Sequence, residues 1–224
     1  MFWALCIQCA LSSAVEQLVY TEWVGGSTPS ARTMTKYILN GGYPSRAADG
    51  GRAFCEEIIK GFKEPVKILV CPFAKPKEDW AERIQKTTEF FQRCLSGKNI
   101  EIVGANPDKF LEQIRWAHVI YLRGGHTTTL FEALKQYAGW EKMLDGKTLA
   151  GESAGANVIA KYHYGLQSLK VFDGFGFLPV KVIVHFRSDF APVDWDKAYA
   201  QLKLYKEDLE MIALCEGEFR VIEK

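Results

Sequence analysis

From Met34 onward the chain alternates apolar strands with helical segments, which predicts an α/β fold: a three-layer, doubly wound, mostly parallel sheet with helices on both faces. Three observations carry this. Short apolar runs such as Val66–Phe73 and Val119–Leu122 read as strands buried on both sides. The segments between them place apolar side chains at helical spacing. Glycines close several of the strands, where parallel sheets open the crevice that takes a ligand.

In chain order, Tyr37 to Asn40 is a short strand ending in Gly41-Gly42, and Gly51 to Phe62 follows as a helix with Phe54, Ile58, Ile59 and Phe62 on one face. Val66 to Phe73 is the next strand. Asp79 to Leu95 is a helix that turns Trp80, Ile84, Phe90, Phe91 and Leu95 inward, and Ile100 to Val103 is a strand. After Pro107, Phe110 to Trp116 makes a short helix. Val119 to Leu122 runs into Arg123-Gly124-Gly125-His126-Thr127, with Thr128 to Tyr137 helical beyond it. Leu149 leads into a glycine-flanked turn and a further helix. Val180 to Phe186 is a strand, Asp194 to Asp208 a helix, and Met211 to Cys215 and Phe219 to Ile222 are the last strands.

With 224 residues, 48% hydrophobic and 25% charged, the chain has material for one sizeable core. Residues 34–224 form the expected domain and 1–33 an extension of different character. A net charge of +1, with its cations spread along the chain, argues against nucleic acid or an anionic membrane as partner. The six cysteines lack regular spacing and read as reduced thiols of a cytoplasmic protein. Cys6 and Cys9 form a C-x-x-C pair with no second pair to complete a metal site, so no metal and no cofactor is implied. The extension lacks the basic start of a secretory signal and is too short to span a membrane. Its stretch from Ser12 to Thr33 resembles the conceptual translation of a transfer RNA gene, which would make Met34 the start.

The chemistry concentrates in Lys147 to Val158, where an apolar strand breaks into Gly-Glu-Ser-Ala-Gly and continues as a helix. Gly-x-Ser-x-Gly also occurs in ordinary turns; the strand before it and the helix after it mark a nucleophile elbow with Ser153 as nucleophile. Small neighbours, Gly151, Ala154, Gly155 and Ala156, let strand and helix approach closely. An oxyanion needs two donors: the N–H of Ala154 and one from a neighbouring loop, for which Gly124 or Gly125 is placed at a strand's end.

A serine hydroxyl needs a base, and the chain offers four histidines. His118 begins a strand and is expected at an edge or facing solvent. His163 follows the elbow helix about three turns from Ser153, too far along the axis to touch it. His126 adjoins the glycine loop. His185 closes a strand at its carboxyl end and is the expected base. Glu216, also directly after a strand, is the expected orienting carboxylate. Glu218 points away if pairing resumes there, Asp189 and Asp194 lie on the loop after His185, and Glu152 reads as a solvent or substrate contact.

Gly-Gly-His-Thr after a strand, G-E-S-A-G-A-N at the elbow, then V-H-F and A-L-C-E-G-E-F-R-V, in that order, resemble the serine peptidase family of dipeptidase E (aspartyl dipeptidase) and cyanophycinase. The resemblance covers essentially Met34 to Lys224 and implies a class I glutamine amidotransferase-like, flavodoxin-like fold. It also implies a Ser153, His185, Glu216 triad and an oxyanion loop over Gly124 to Thr127, with His126 where the family ordinarily has Asn. Family members ordinarily continue past the strand Phe219 to Ile222, so that edge is expected to be shortened or exposed. The implied activity is serine-type exopeptidase action on short peptides through an acyl-enzyme. Arg187 and Arg123 are the cations available for an N-terminal aspartate, and His126 and Thr127 join Arg187 as substrate contacts. The order Ser, His, Glu differs from that of α/β-hydrolases, whose acid precedes the histidine. The rival expectation is a binding module that keeps the fold without the activity. The expected partner is a small peptide, and a homodimer is an open option.

Overall fold

The computed structural model describes residues 34–189 and 192–224. The extension 1–33, with Cys6 and Cys9, lies outside the described residues.

Among the described residues ten strands form two sheets. The larger joins β1 (Lys36–Asn40), β2 (Val66–Cys71), β3 (Ile100–Gly104), β4 (Val119–Leu122), β5 (Thr148–Glu152) and β10 (Phe219–Glu223) in the order β10-β1-β5-β4-β2-β3. All neighbours are parallel except β10, which runs antiparallel to β1. The smaller sheet, β7-β6-β8-β9, contains β6 (Ala160–Gly165), β7 (Lys170–Asp173), β8 (Leu178–Ile183) and β9 (Glu210–Ala213). There β6, β8 and β9 are parallel and β7 is antiparallel to β6.

Alternation along the central strands explains why they are apolar throughout. Ile38, Ile68, Val70, Val119, Tyr121 and Ala150 pack on one face with Phe54, Cys55 and Ile58 of α1 (Arg52–Ile59) and Phe91 of α2 (Trp80–Cys94). Leu39, Leu69, Cys71, Ile120, Leu122 and Leu149 face the other way. They meet Phe110 and Ile114 of α3 (Phe110–Trp116), Leu130 and Leu134 of α4 (Thr127–Lys135) and Val158 of α5 (Ala154–Ile159). A strand buried on both faces has no polar side, so the expected period-two signal is absent from its sequence. The smaller sheet adds Val180, Val182 and Val184 to the second layer and packs Tyr162, Tyr164 and Ile183 on Ala198 and Leu202 of α6 (Trp195–Leu204).

The α/β expectation holds, and the structure corrects three details. The strands divide between two sheets instead of one. The elbow helix ends at Ile159, and the chain re-enters a sheet at Ala160, so His163 lies in a strand paired with Val182. The helix expected over Asp194–Asp208 starts at Trp195, with the Asp194 side chain accepting from the N–H of Lys197, and stops at Leu204. The strand β7 is absent from the sequence expectations because its pattern, Lys-Val-Phe-Asp, is exposed along most of its length.

Among the described residues Cys55, Cys71 and Cys94 are free thiols. Burial raises the Cys71 thiol to about 12, which makes it an inert packing group. No helix among the described residues is long and apolar enough to cross a membrane.

A close backbone approach lies at the elbow. A Cβ on Gly151 would overlap the backbone of Gly155 and Ala156, neither of which can move without opening the turn. Gly151→Ala is therefore expected to lower the unfolding free energy by about 1–3 kcal/mol or more, measured by urea denaturation.

Candidate active site

Each expected catalytic residue stands just past the carboxyl end of a parallel strand: Ser153 after β5, His185 after β8, and Glu216 after β9. All three loops are tied to the end of β1. The Ser153 N–H donates to the Asn40 carbonyl (2.9 Å), the His185 N–H to the Gly41 carbonyl (2.8 Å), and the Gly217 N–H to the Gly42 carbonyl (2.8 Å). Asn40 locks its own turn, since its Oδ1 accepts from the Gly42 N–H at 2.9 Å and its Nδ2 donates to the Glu218 carbonyl at 3.0 Å. Only glycine fits at 41 and 42. A Cβ on Gly41 would strike the Cys215 carbonyl, and one on Gly42, which has φ +110°, would enter the His185 ring.

The side chains meet. His185 Nε2 lies 3.0 Å from Ser153 Oγ, and His185 Nδ1 lies 3.1 Å from Glu216 Oε1. Ser153 has φ 50° and ψ −103°, the strained conformation of an elbow, and His185 has φ 52°. Glu216 is held by more than the histidine. Ser188 Oγ donates to its Oε1 at 2.7 Å, and Arg46 pairs with its Oε2. Burial pushes the Glu216 carboxyl up, but the hydrogen bonds from Ser188, Arg46 and His185 outweigh burial and hold its pKa below the usual range. Arg46 also stacks over Tyr43, whose ring meets the His185 ring edge-on at 5.4 Å.

Gly124 is buried against Ser153: a Cβ there would sit 3.3 Å from Ser153 Cβ, and its N–H lies 3.5 Å from Glu152 Oε2. Gly125 and His126 are exposed on the same loop, which is anchored by the His126 N–H donating to the Ala74 carbonyl at 2.8 Å. Thr127 Oγ1 accepts from Asn157 Nδ2 at 3.2 Å. A cavity of about 610 Å³ opens over these groups, bordered by Gly124, Gly125, His126, Thr127, Ser153 and His185.

Several expectations change. Arg187 does not border the cavity: it is exposed, with its guanidinium over the Phe186 ring at 5.2 Å. The cations that do border it are Lys75, Arg83 and Arg123. Glu152 borders the cavity but is buried away from bulk solvent, accepting from Tyr121 Oη at 2.9 Å and lying 3.7 Å from Arg123 Nε. Burial and the neighbouring Glu152 raise Tyr121 well above its usual value, which keeps the phenol a donor. Glu218 does turn aside, capping the Cys215 N–H at 2.8 Å. His118 is half-buried, with Nδ1 accepting from the Lys67 N–H at 3.2 Å and its ring stacked on Phe62. His163, set aside on the assumption of a helix, borders the cavity with its ring buried. Arg46 and Ser188 left no sequence signal, whereas Gly41-Gly42 after a strand carried the same signal as Gly124-Gly125.

An α/β sheet with a serine on a strained elbow, hydrogen-bonded to a histidine that is itself bonded to a carboxylate, is the architecture of a serine-type hydrolase. The model of peptidase family S51 matches residues 47–224, and the chain belongs to that family of serine peptidases. A candidate peptidase E protein from Listeria monocytogenes EGD-e has a similar structure, with TM-score 0.61 and 16% identity over 85% of this chain and 98% of that one. A peptidase from an acI-B1 actinobacterium is similar with TM-score 0.59 and 25% identity, over 85% of this chain and 84% of that one. None of the curated proteins matches the sequence.

Burial lowers the His163 ring from 6.5, its ordinary value, to about 4. The unfolded chain thus takes up a proton on this ring at higher pH than the folded chain. Its contribution to stability is full above about pH 6.5 and is lost as pH falls toward 4. His163→Phe is expected to flatten the acid side of the stability profile in that window, followed by chemical denaturation at successive pH values.

Proposed function

We propose that this S51 peptidase is an exopeptidase that hydrolyses short peptides through an acyl-enzyme on Ser153, with His185 as base and Glu216 as its orienting acid. The observation that carries this reading is the continuous relay Ser153 Oγ–His185 Nε2 at 3.0 Å and His185 Nδ1–Glu216 Oε1 at 3.1 Å, at the edge of the cavity. Glu216, held ionised, favours the tautomer with the proton on Nδ1, which leaves Nε2 to accept the serine proton. Ser153 Oγ attacks the peptide carbonyl carbon while its proton passes to His185. Collapse of the tetrahedral adduct breaks the C–N bond as His185 returns the proton to the leaving amine. Water, deprotonated by the same ring, then releases the acid. The N–H of Ala154, with that of Gly124 or Gly125, is assigned to the oxyanion, and His126 and Thr127 to the substrate.

A cavity of about 610 Å³ is of the size that encloses a small molecule, which fits a dipeptide. A preference for an N-terminal aspartate is supported by Lys75, Arg83 and Arg123 on the cavity wall, in place of Arg187. A cytoplasmic location and a homodimer remain proposals from the sequence.

Ser153→Ala is expected to abolish labelling by a fluorophosphonate probe and to cut dipeptide hydrolysis by about four orders of magnitude or more. A wild-type protein that takes no label would instead identify a binding module on this fold. Removing Arg46 takes away one of the hydrogen bonds that keep Glu216 ionised. Arg46→Ala should therefore shift the acid limb of the kcat/KM profile to higher pH, with the rate at the plateau reduced less than the rate on the limb.

A further inference from the structure

We propose that Asn157 and His163 form the subsite that holds the amino-terminal ammonium of a peptide substrate. The proposal rests on Ser153 being the nucleophile. The Asn157 N–H donates to the Ser153 carbonyl at 3.0 Å, so Asn157 stands one turn further along α5. One turn rises about 5.4 Å. In a substrate attacked at its first peptide bond, the α-nitrogen is separated from the attacked carbon only by the α-carbon, so it must lie within that reach of Ser153.

Both residues are 4% exposed and both border the cavity. Asn157 Nδ2 is committed to Thr127 Oγ1, which sets the amide and leaves Oδ1 with no hydrogen-bond partner among the described residues. His163 Nδ1 is likewise without one, while its ring is stacked on Phe172 at 5.8 Å and 22°. Buried acceptors left unpaired are costly, and a group rich in N–H donors removes that cost. Burial keeps the His163 ring neutral, so its nitrogen offers a lone pair to a cation instead of repelling it. The carboxylate on the same wall, Glu152, is already engaged by Tyr121 and Arg123. A substrate carboxylate fits the Arg83 and Arg123 side of the cavity and would be repelled by Asn157 Oδ1. The division orients a dipeptide and excludes chains blocked at the amino end.

The test is protection of Ser153 from a fluorophosphonate probe by a panel of free dipeptides and by the same dipeptides N-acetylated. Free dipeptides should protect at concentrations about 10- to 100-fold lower than the acetylated ones, the worth of hydrogen bonds to a charged group. Asn157→Leu should still label but lose that difference. Asn157→Asp, which keeps an oxygen acceptor of the same shape, should retain it, and His163→Phe, which keeps the stack on Phe172, should narrow it. Equal protection by both panels, protection by neither, or a difference that survives in Asn157→Leu overturns the subsite while leaving the nucleophile intact. A wild-type chain that takes no label overturns the nucleophile and the subsite together.

Discussion

Three backbone hydrogen bonds at the carboxyl end of β1 carry the site. Asn40, Gly41 and Gly42 offer successive carbonyls to the N–H groups of Ser153, His185 and Gly217, so one short turn references Ser153, His185 and Glu216 to the same strand. The reach of a side-chain relay tolerates little error, because a hydrogen bond weakens steeply with distance and angle. Three loops that followed three strands independently would not hold contacts of 3.0 and 3.1 Å. Their shared anchor does so with main-chain groups, which have no rotamers to lose.

Electrostatics complete what the backbone begins. Glu216 receives donors from Ser188, Arg46 and His185, which fix both its oxygens and keep it ionised. Arg46 in turn lies on Tyr43, and Tyr43 closes against His185, so a segment far from Glu216 in sequence encloses His185 and Glu216. On the other side of the serine, Glu152 is buried but satisfied by Tyr121 and neighboured by Arg123. A carboxylate in such a place needs partners, since an unpaired buried charge is among the most costly groups in a protein.

The strand-helix alternation, the elbow and the glycine loop were legible because each is local. A buried strand needs an unbroken apolar run, and an elbow needs small residues within a few positions of the serine. His185 and Glu216 were legible for a related reason: residues that follow parallel strands converge on one crevice. The misplacement of His163 shows the limit. Ala160 to Gly165 follows the elbow helix without a glycine or proline to stop it, and nothing local distinguishes a continued helix from a strand. Pairing with β8, distant in sequence, decides for the strand and brings the ring to the cavity. Arg187 fails in the opposite sense, since adjacency to His185 in sequence says nothing of direction when His185 and Arg187 both have positive φ.

The amino-acid sequence by itself determined the α/β class, the serine at its elbow, the histidine and glutamate that meet it, and the family, because these rest on patterns within single elements. Only the tertiary structure decided that the strands form two sheets, that the end of β1 anchors all three loops, that Arg46 and Ser188 hold the Glu216 carboxylate, and which cations border the cavity. Those outcomes depend on hydrogen bonds and contacts between residues more than a hundred positions apart in several cases, such as Asn40 with Ser153 and Arg46 with Glu216. Such pairs leave no periodicity in the chain, and their partners are chosen only when the packed core brings them together.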